Sequence, residues 1–399
     1  MSLSMLVGLL GGLGLFIYGM KQMSEGLQKT AGKKLKQLLG LLTTNRIAGL
    51  LVGTGVTAII QSSSATTVMV VGFVNAGLMT LKQSVGVIMG ANIGTTVTAQ
   101  LIAFKLSHYS LHAIAIGAGL YIFARRERTK QIGQVILGFG ILFLGLSTMK
   151  DAMYPLRDSE MFVDAMARFG QSPFLGILLG TGITIMVQSS SASIGILMSL
   201  MAVGILDYQA AIPILLGGNI GTTITALLSS IGANKNARRS AFAHTVFNVI
   251  GTAVFLGAIY FIPDFTATLE RIFTSLSLKM GQEINTSRLL ANTHSAFNII
   301  NALIWLPFVP FIVSIVNTII PGEEEKIERG LKYLDERMLE TPGMVMTQVK
   351  NEVVRMHRIA ADMVIDARQA MMNGDLKIAA HIEECEDIIN NIEEELVVF

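Results

Sequence analysis

The segment IIQSSSATTVM, residues 59–69, places four consecutive polar residues at the centre of a long apolar run. An unsatisfied polar group costs several kcal/mol in the hydrocarbon core of a bilayer. The same four letters return in MVQSSSASIG, residues 186–195. A costly feature that occurs twice calls for a structural or functional reason, and the pattern around it indicates the fold.

The composition is that of a polytopic membrane protein followed by an acidic soluble segment. The 399 residues are 51% hydrophobic and only 15% charged, with a mean hydropathy of +0.58, whereas soluble domains have about 25% charged residues. Residues 1–321 carry 21 Lys and Arg against 10 Asp and Glu, and residues 322–399 carry 9 against 18. The apolar N-terminal segment has no basic start and no small-residue cleavage site, which predicts a retained first span.

A shift of 127 residues matches the sequence to itself without gaps. Gly53-Thr54-Gly55 falls on Gly180-Thr181-Gly182, and the two QSSS tetrads coincide. Further along, the segment NIGTT at 92–96 falls on the same letters at 219–223. One register held over so many positions indicates an internal repeat.

The flanking charges predict that the second copy is inverted. Residues 21–46 contain six basic residues and one acid, but the equivalent segment 150–172 contains three basic and four acidic residues. Cytoplasmic segments carry the excess of Lys and Arg, so the equivalent segments are predicted on opposite sides of the membrane. The predicted fold is all-α and polytopic, with two inverted-topology repeats, each with a re-entrant helical hairpin, and a soluble helical tail.

The predicted layout places the N-terminus outside, the tail in the cytoplasm, and the whole chain in the cell inner (plasma) membrane. A basic stretch at 24–42 is expected on the inner surface after the first span, and the loop 263–290 outside. The predicted domains are repeat 1 (1–130), repeat 2 (131–262), an external loop with a final span (263–321), and the tail (322–399). The hairpins are predicted at 47–79 and 174–206, and the later spans at 84–104, 108–124, 131–149, 209–231, 241–262 and 291–318.

The tetrads are candidates for an anion site. Three successive hydroxyls do not face one side of a helix, but they converge if the helix is broken there and the next half-helix offers free N–H groups and its positive end. The alternative is hydrogen bonding between neighbouring helices. The predicted substrate ligands are Gln61, Ser62, Ser63, Ser64, Gln188, Ser189, Ser190 and Ser191.

Hydroxyl and amide oxygens in the same segments are candidates for a sodium site, because hard cations take oxygen ligands. Packing of a Gly-Thr helix surface is the alternative for the NIGTT segments. No charged residue occurs in 47–81, 83–104, 172–206 or 208–234, so a charged substrate needs co-bound cations. The predicted sodium ligands are Gln61, Thr66, Asn92, Thr95, Thr96, Gln188, Ser193, Asn219, Thr222 and Thr223.

Two histidine motifs form a second related pair. The segments HTVFN at 244–248 and HSAFN at 294–298 both lie in apolar runs. Ionisable residues inside a membrane are functional candidates, while a neutral core histidine is the alternative. His244, Asn248, His294 and Asn298 are therefore predicted in a supporting role. An intramembrane Ser/His hydrolase is disfavoured, since no nucleophile elbow and no placed acid are present.

Together these motifs resemble the type II sodium-dependent phosphate cotransporter (Na/Pi-cotransporter) family. The resemblance implies sodium-driven uptake of inorganic phosphate through the two QSSS motifs, with sodium ions as co-transported partners and no enzymatic activity. The tail resembles the PhoU-type helical domain, and the turn at Asn373-Gly374-Asp375 predicts two helices there. The chain ends on an apolar segment without a capping signal, which predicts an incomplete helical domain.

Three functions fit these observations. The first is a symporter that imports phosphate by alternating access around a midplane site, in contact with membrane lipids. The second is a phosphate sensor or signalling scaffold that acts through the acidic tail, where an oligomeric or regulatory partner would bind. The third is a passive anion channel. No nucleic-acid motif is present.

Overall fold

The computed structural model describes residues 3–40, 45–75, 78–104, 106–159, 162, 172–279, 281, 285–322, 331, 333–334, 342–373 and 376–398. All regular structure in these residues is helical, which confirms the all-α prediction. Short 3-10 turns occupy Ser107–Tyr109 and Tyr154–Asp158. The helices are α1 (Leu3–Gly40), α2 (Arg46–Ile60), α3 (Ser63–Asn75), α4 (Leu81–Ile102), α5 (Ser110–Phe123), α6 (Glu127–Met153), α7 (Pro173–Val187), α8 (Ser190–Val203), α9 (Tyr208–Gly221), α10 (Ile224–Ser229), α11 (Lys235–Phe261), α12 (Phe265–Lys279), α13 (Thr286–Trp305), α14 (Val309–Ile319), α15 (Pro342–Asn373) and α16 (Leu376–Val398).

Five described helical segments are long and apolar enough to cross a membrane: Leu3–Ala31, Leu81–Ile102, Glu127–Asp158, Tyr208–Ser229 and Lys235–Phe261. The pair α13 and α14 makes a sixth if it is counted as one span. The prediction of a multi-pass membrane protein is confirmed.

Helices α1 and α6 pack closely along small residues and run antiparallel. A Cβ atom built on Gly12 would lie 2.7 Å from the backbone nitrogen of Met149, and one on Gly19 would lie 2.3 Å from that of Leu142. Contacts thus move backwards along α6 as they move forwards along α1. Glycines permit such close backbone approach between membrane helices.

The two hairpins pack on their following helices in the same way. A Cβ atom built on Gly53 of α2 would lie 2.1 Å from the carbonyl oxygen of Val87 in α4. Its counterpart on Gly180 of α7 would lie 1.9 Å from the carbonyl oxygen of Ile214 in α9. The sequence repeat therefore corresponds to a repeat of tertiary structure.

The predicted layout requires four corrections. Residues 24–40 of the stretch predicted at 24–42 do not form a separate surface segment, because they continue α1 without a break. The side chain of Gln134 in α6 donates hydrogen bonds to Gln22 and Glu25 of this helix. The span predicted at 108–124 is a helix of 14 residues, about 21 Å long, which is shorter than a bilayer core of about 30 Å.

The other two corrections concern the C-terminal part of the membrane region. The final span is bent by 85° between α13 and α14, at Pro307, which lacks a backbone donor. The loop predicted at 263–290 contains the amphipathic helix α12, with Ile272 and Leu276 exposed on its apolar face.

The tail contains the two expected helices, α15 and α16, and residues 374–375 of the predicted turn between them lie outside the described residues. Ile388 and Ile392 are buried, and the buried Glu352 carboxylate pairs with Arg355 at 3.3 Å.

The end of the membrane region is fixed to α11 by an arginine. Arg239 of α11 donates to the carbonyl oxygens of Ile320 and Gly322. The guanidinium is buried, so it holds the chain in place at the point where the tail begins.

Candidate functional site

The first tetrad breaks a helix in the manner predicted. Gln61 ends α2 in the left-handed conformation, with φ 59° and ψ 24°, and its backbone N–H donates to Thr57. The Ser62 hydroxyl accepts from the backbone N–H of Ala65 at 3.1 Å, as a cap for α3. A polar N-cap satisfies one of the free donors at a helix start.

The second tetrad has the same geometry. Gln188 ends α7 at φ 53° and ψ 25°, its backbone N–H donates to Thr184, and Ser189 caps α8 through Ala192 at 3.2 Å. In the described residues, Asp264 is the one further non-glycine residue with positive φ. Such a conformation costs about 1–3 kcal/mol and marks functional positions, so its occurrence at the same register of both copies supports a functional break.

The hydroxyls that follow each break are available for a ligand. Within the described residues, the Ser63, Ser64, Ser190 and Ser191 hydroxyls make no hydrogen bond to the protein. Ser63, Ser190 and Ser191 are nevertheless buried. They lie in the first turn of α3 and α8, where free N–H groups and the helix dipole favour an anion.

A buried hydroxyl bridge spans each break and was missed by the sequence analysis. Thr57 of α2 donates to Thr66 of α3 at 2.9 Å, and Thr184 of α7 donates to Ser193 of α8 at 2.8 Å. Thr57 and Thr184 occupy equivalent positions in the repeat, which was the signal that could have identified them. The predicted sodium ligands Thr66 and Ser193 thus also hold the two halves of each hairpin together.

The two copies differ in how closed they are. Gln61 is only 5% exposed, and its carboxamide oxygen accepts from Thr98 of α4 at 2.8 Å. Gln188 is exposed, and the equivalent hydroxyl, Thr225, donates to the carbonyl oxygen of Thr222 instead. The first copy is therefore sealed against its neighbouring helix and the second is open.

The two NIGTT segments also differ. In α4 the segment is continuous helix, and Asn92, Thr95 and Thr96 donate to carbonyl oxygens of their own helix. In the second copy the helix is interrupted between Gly221 and Ile224. Thr222 and Thr223 likewise donate within their own segment. In all five residues a side-chain donor binds a carbonyl oxygen of the same segment. The hydroxyl oxygen of each of the four threonines therefore keeps a lone pair for a cation.

The two histidine motifs are buried and share the same internal hydrogen bond. The Asn248 amide donates to the carbonyl oxygen of His244 at 3.0 Å, and the Asn298 amide does so to His294 at 2.9 Å. His294 is joined to the predicted sodium ligand Asn219 at 3.2 Å through its Nε2. Neither ring nitrogen of His244 has a partner in the described residues, so the structure links one histidine, and not both, to the candidate site.

A cavity of about 240 Å³ borders the open copy. Ser190, Ser193 and Asn219 are its polar lining residues, and the rest of the lining is apolar, from α1, α6, α7, α8, α9, the 3-10 turn at Tyr154–Asp158 and Phe162. The Asn219 amide nitrogen is buried without a partner in the described residues. By contrast, no hydrogen bond joins residues 61–64 to residues 188–191 in the part of the chain that the structure describes, so any shared site requires a bridging ligand.

Comparison with known proteins identifies the family. The Na+/Pi-cotransporter family matches residues 15–151 and 158–280. The chain belongs to the Na+/Pi-cotransporter family. This confirms the resemblance drawn from the motifs, and because the family is one of transporters it also confirms that the chain is not an enzyme. The match ends at residue 280, so the likeness of the tail to PhoU-type domains stays a prediction.

Similar proteins include both bacterial and animal members. An uncharacterized Bacillus subtilis protein, YqeW, is 34% identical over 77% of this chain and 96% of its own length. A putative inorganic phosphate export protein of Escherichia coli, YjbB, is 28% identical over 96% of this chain and 68% of its own length. The human sodium-dependent phosphate transport protein 2B is 32% identical over 36% of this chain and 19% of its own length. No solved structure matches this chain.

Proposed function

We propose that this family member is a sodium-coupled symporter of inorganic phosphate that works by alternating access. The observation that carries the proposal is the pair of broken helices, each with a left-handed glutamine followed by serine hydroxyls that have no partner in the described protein. Two helix N-termini with free donors suit a tetrahedral oxyanion. Phosphate transport also appears in the names of the Escherichia coli and human relatives.

The absence of charged residues in the hairpins supports the coupling of phosphate transport to sodium. The sequence of residues 47–81 and 172–206 contains no charged residue, so helix dipoles and hydroxyls alone face the phosphate charge. Transfer of an unpaired ion out of water is strongly unfavourable. Sodium ions bound beside the phosphate would lower that cost, and the threonine oxygens of the NIGTT segments are the proposed ligands together with Gln61 and Gln188.

The unequal repeats support alternating access. Gln61 is closed on Thr98 while Gln188 is exposed, as expected if one hairpin seals its side of the membrane while the other opens. Exchange of the two arrangements would expose the site to the opposite side. The antiparallel packing of α1 and α6, the first helices of the two copies, is consistent with the proposed inverted topology. We propose that the protein lies in the inner membrane, with its N-terminus outside and its tail in the cytoplasm.

The direction of net transport is set by the gradients and not by the site. The Escherichia coli relative is named for export and the human relative for sodium dependence. A symporter carries both ions the same way, so an inward sodium gradient would drive import and an outward one export. We propose import, because cells maintain low internal sodium.

Purified protein in liposomes tests this function. With an imposed inward sodium gradient and phosphate initially present only outside, we expect phosphate to accumulate inside above its external concentration. Equal internal and external phosphate at the end point would indicate a passive channel, and no movement would overturn the proposal. Replacement of sodium by lithium, potassium or protons identifies the coupling ion.

The serine positions give matched variants for the site itself. Ser63→Ala and Ser190→Ala remove hydroxyls that have no partner in the described protein, so a loss of uptake reports on the ligand. Ser62→Ala and Ser189→Ala additionally remove a helix cap that is worth about 1 kcal/mol. Normal sodium-driven uptake in both Ser63→Ala and Ser190→Ala would exclude these two hydroxyls as phosphate ligands and would count against the tetrads as the phosphate site.

A further inference from the structure

A second cavity of about 640 Å³ lies where the ends of α4 and α8 meet the start of α13 and the last turns of α6. This cavity, called the vestibule below, has an apolar lining that includes Ile102 and Met198. Its polar lining residues include Ser107, His108, Ser147, Lys150, Asn285 and Ser287.

This vestibule is separate from the proposed transport site but adjacent to it. Along α4, Ile102 lies four residues beyond Thr98, about 6 Å at 1.5 Å per residue, and Thr98 is the residue that closes on Gln61. Along α8, the lining residue Ser199 lies nine residues beyond Ser190, about 14 Å. A molecule in the vestibule is therefore about one helical turn from the closed copy.

A buried arginine lies behind the vestibule wall. Arg288 is 8% exposed, and its guanidinium carbon lies 4.2 Å above the ring of Phe104, which lines the cavity. Its Nη1 donates to the side-chain oxygen of Gln100 at 2.9 Å. Gln100 in turn donates to Asn292 and Ser295, which holds its oxygen toward the guanidinium.

The charges around the vestibule favour an anion. Arg288 has no carboxylate partner in the described residues, and a buried charge is stable only when it is compensated. The charged Lys150 and the hydrogen-bonding side chain of His108 are exposed and line the cavity, and none of the described lining residues is acidic. Oriented positive charge in a concave surface raises the local concentration of anions.

We infer that this vestibule is a second, shallower oxyanion site, which captures inorganic phosphate before it enters the transport site. Lys150 and His108 are its direct ligands, and Arg288 supplies a fixed positive charge behind Phe104. The identity of the anion rests on the proposed function. A phospholipid headgroup has the same phosphate chemistry, so the test below separates free phosphate from lipid.

Thiol labelling measures the vestibule directly and does not depend on transport. In a Cys385→Ser background, Ser287→Cys is labelled by an anionic or a cationic methanethiosulfonate in purified full-length protein. Lys150→Gln is expected to lower the anionic-to-cationic rate ratio about three- to fivefold, the size of one charge contact near a surface. The control Lys130→Gln removes a lysine from the same helix about 30 Å away and is expected to leave the ratio unchanged. An unchanged ratio in Lys150→Gln would overturn the inference.

Protection by the ligand provides the second measurement. Inorganic phosphate is expected to slow labelling of Ser287→Cys in lipid-free dodecyl maltoside, including in a Ser63→Ala, Ser190→Ala protein with the deep site disabled. Protection by added phosphatidylglycerol alone would assign the cavity to a lipid headgroup and overturn phosphate capture. Protection that is lost with the deep-site serines would also overturn it, because one site would then account for both effects.

The two proposals fail in different ways. If the liposome assay shows no sodium-driven phosphate movement but protection persists, the transport proposal fails and the vestibule stands. If transport is normal but Lys150→Gln leaves the KM for phosphate unchanged while Lys150→Arg behaves identically, the vestibule is not on the route. The expected result is a KM raised about threefold in Lys150→Gln, an unchanged maximal rate, and recovery in Lys150→Arg.

Discussion

At the scale of single residues, the two glutamines of the QSSS motifs share a backbone conformation but differ in exposure and in side-chain partner. Both adopt the left-handed conformation, which glycine adopts without cost and other residues do not. Since glycine would suffice for the turn, the side chain is needed for something else. The closed copy suggests that the carboxamide of Gln61 forms a gate contact with Thr98 when its side of the site is shut.

The hydroxyl of Thr98 is therefore expected to stabilise the closed state of the first copy. Thr98→Val removes a buried hydrogen bond worth about 1 kcal/mol, equivalent to about a fivefold change in the ratio of open to closed states. We expect faster thiol labelling of Ser62→Cys in the Cys385→Ser background by about that factor. The matched change Thr225→Val should not accelerate it, because in this conformation Thr225 bonds only to its own segment. Equal effects of the two substitutions would contradict a gate at Thr98.

At the scale of elements, each hairpin is held on its following helix by a glycine that faces a backbone carbonyl. A Cβ on Gly180 would lie 1.9 Å from the carbonyl oxygen of Ile214, whereas a Cβ on Gly182 would meet nothing within 4 Å. Backbone cannot move aside as a flexible side chain can. The two glycines of one GTG motif thus have different structural roles.

Alanine at these two glycines should separate packing from helix propensity. Gly180→Ala is expected to destabilise the folded protein by about 1–3 kcal/mol or more, as is typical of overpacking, and so to lower its Tm in detergent. Gly182→Ala is expected to leave the Tm unchanged or to raise it, because alanine is favoured over glycine in helices by about 1 kcal/mol. A lower Tm for Gly182→Ala than for Gly180→Ala would contradict this packing.

The elements also show how far sequence alone could go. The repeat and the clash between three hydroxyls and helical geometry were enough to predict both hairpins and the break at Gln61 and Gln188. It could not be predicted that the helix is interrupted at the NIGTT segment of the second copy and continuous at that of the first. The five residues are identical in the two copies, so the tertiary surroundings determine the backbone conformation. Nor could the contact of Gln100 with Arg288, which joins residues 188 positions apart and has no periodic signature.

At the scale of the whole molecule, the antiparallel α1 and α6 bring the two basic segments to the same end. The Lys29 ammonium of α1 lies 3.3 Å from the side-chain oxygen of Gln134, one turn from the cluster Arg125 to Lys130. At the opposite end, a Cβ on Gly8 would lie 2.9 Å from the Ala152 side chain. Lys and Arg accumulate on the cytoplasmic side, so the structure and the charge distribution agree on which ends belong together.

An impermeant thiol reagent checks this orientation in intact cells. In the Cys385→Ser background, Tyr154→Cys is expected to be labelled from outside and Arg128→Cys only after the membrane is permeabilised. Both positions are exposed in the structure and lie at opposite ends of one helix region, so each serves as the control for the other. Labelling of both from the same side would contradict a membrane-spanning α6, and the reverse pattern would place the tail outside.

The tail provides the last test, because it distinguishes a transporter from a sensor that signals through residues 323–399. Truncation after Gly322 removes the tail but retains the hydrogen bonds of Arg239 to Ile320 and Gly322, so the end of the membrane region keeps its anchor. Since the proposed phosphate and sodium ligands, and His294 that contacts Asn219, all precede Gly322, the truncated protein is expected to keep at least half of the sodium-driven phosphate uptake of the full chain in liposomes. Arg239→Gln in the full chain is the control: it loosens the anchor with the tail present, and should lower the Tm. Loss of uptake on truncation without a fall in Tm would mean that the tail takes part in transport, and would favour a regulatory role for the acidic helices over the transport site alone.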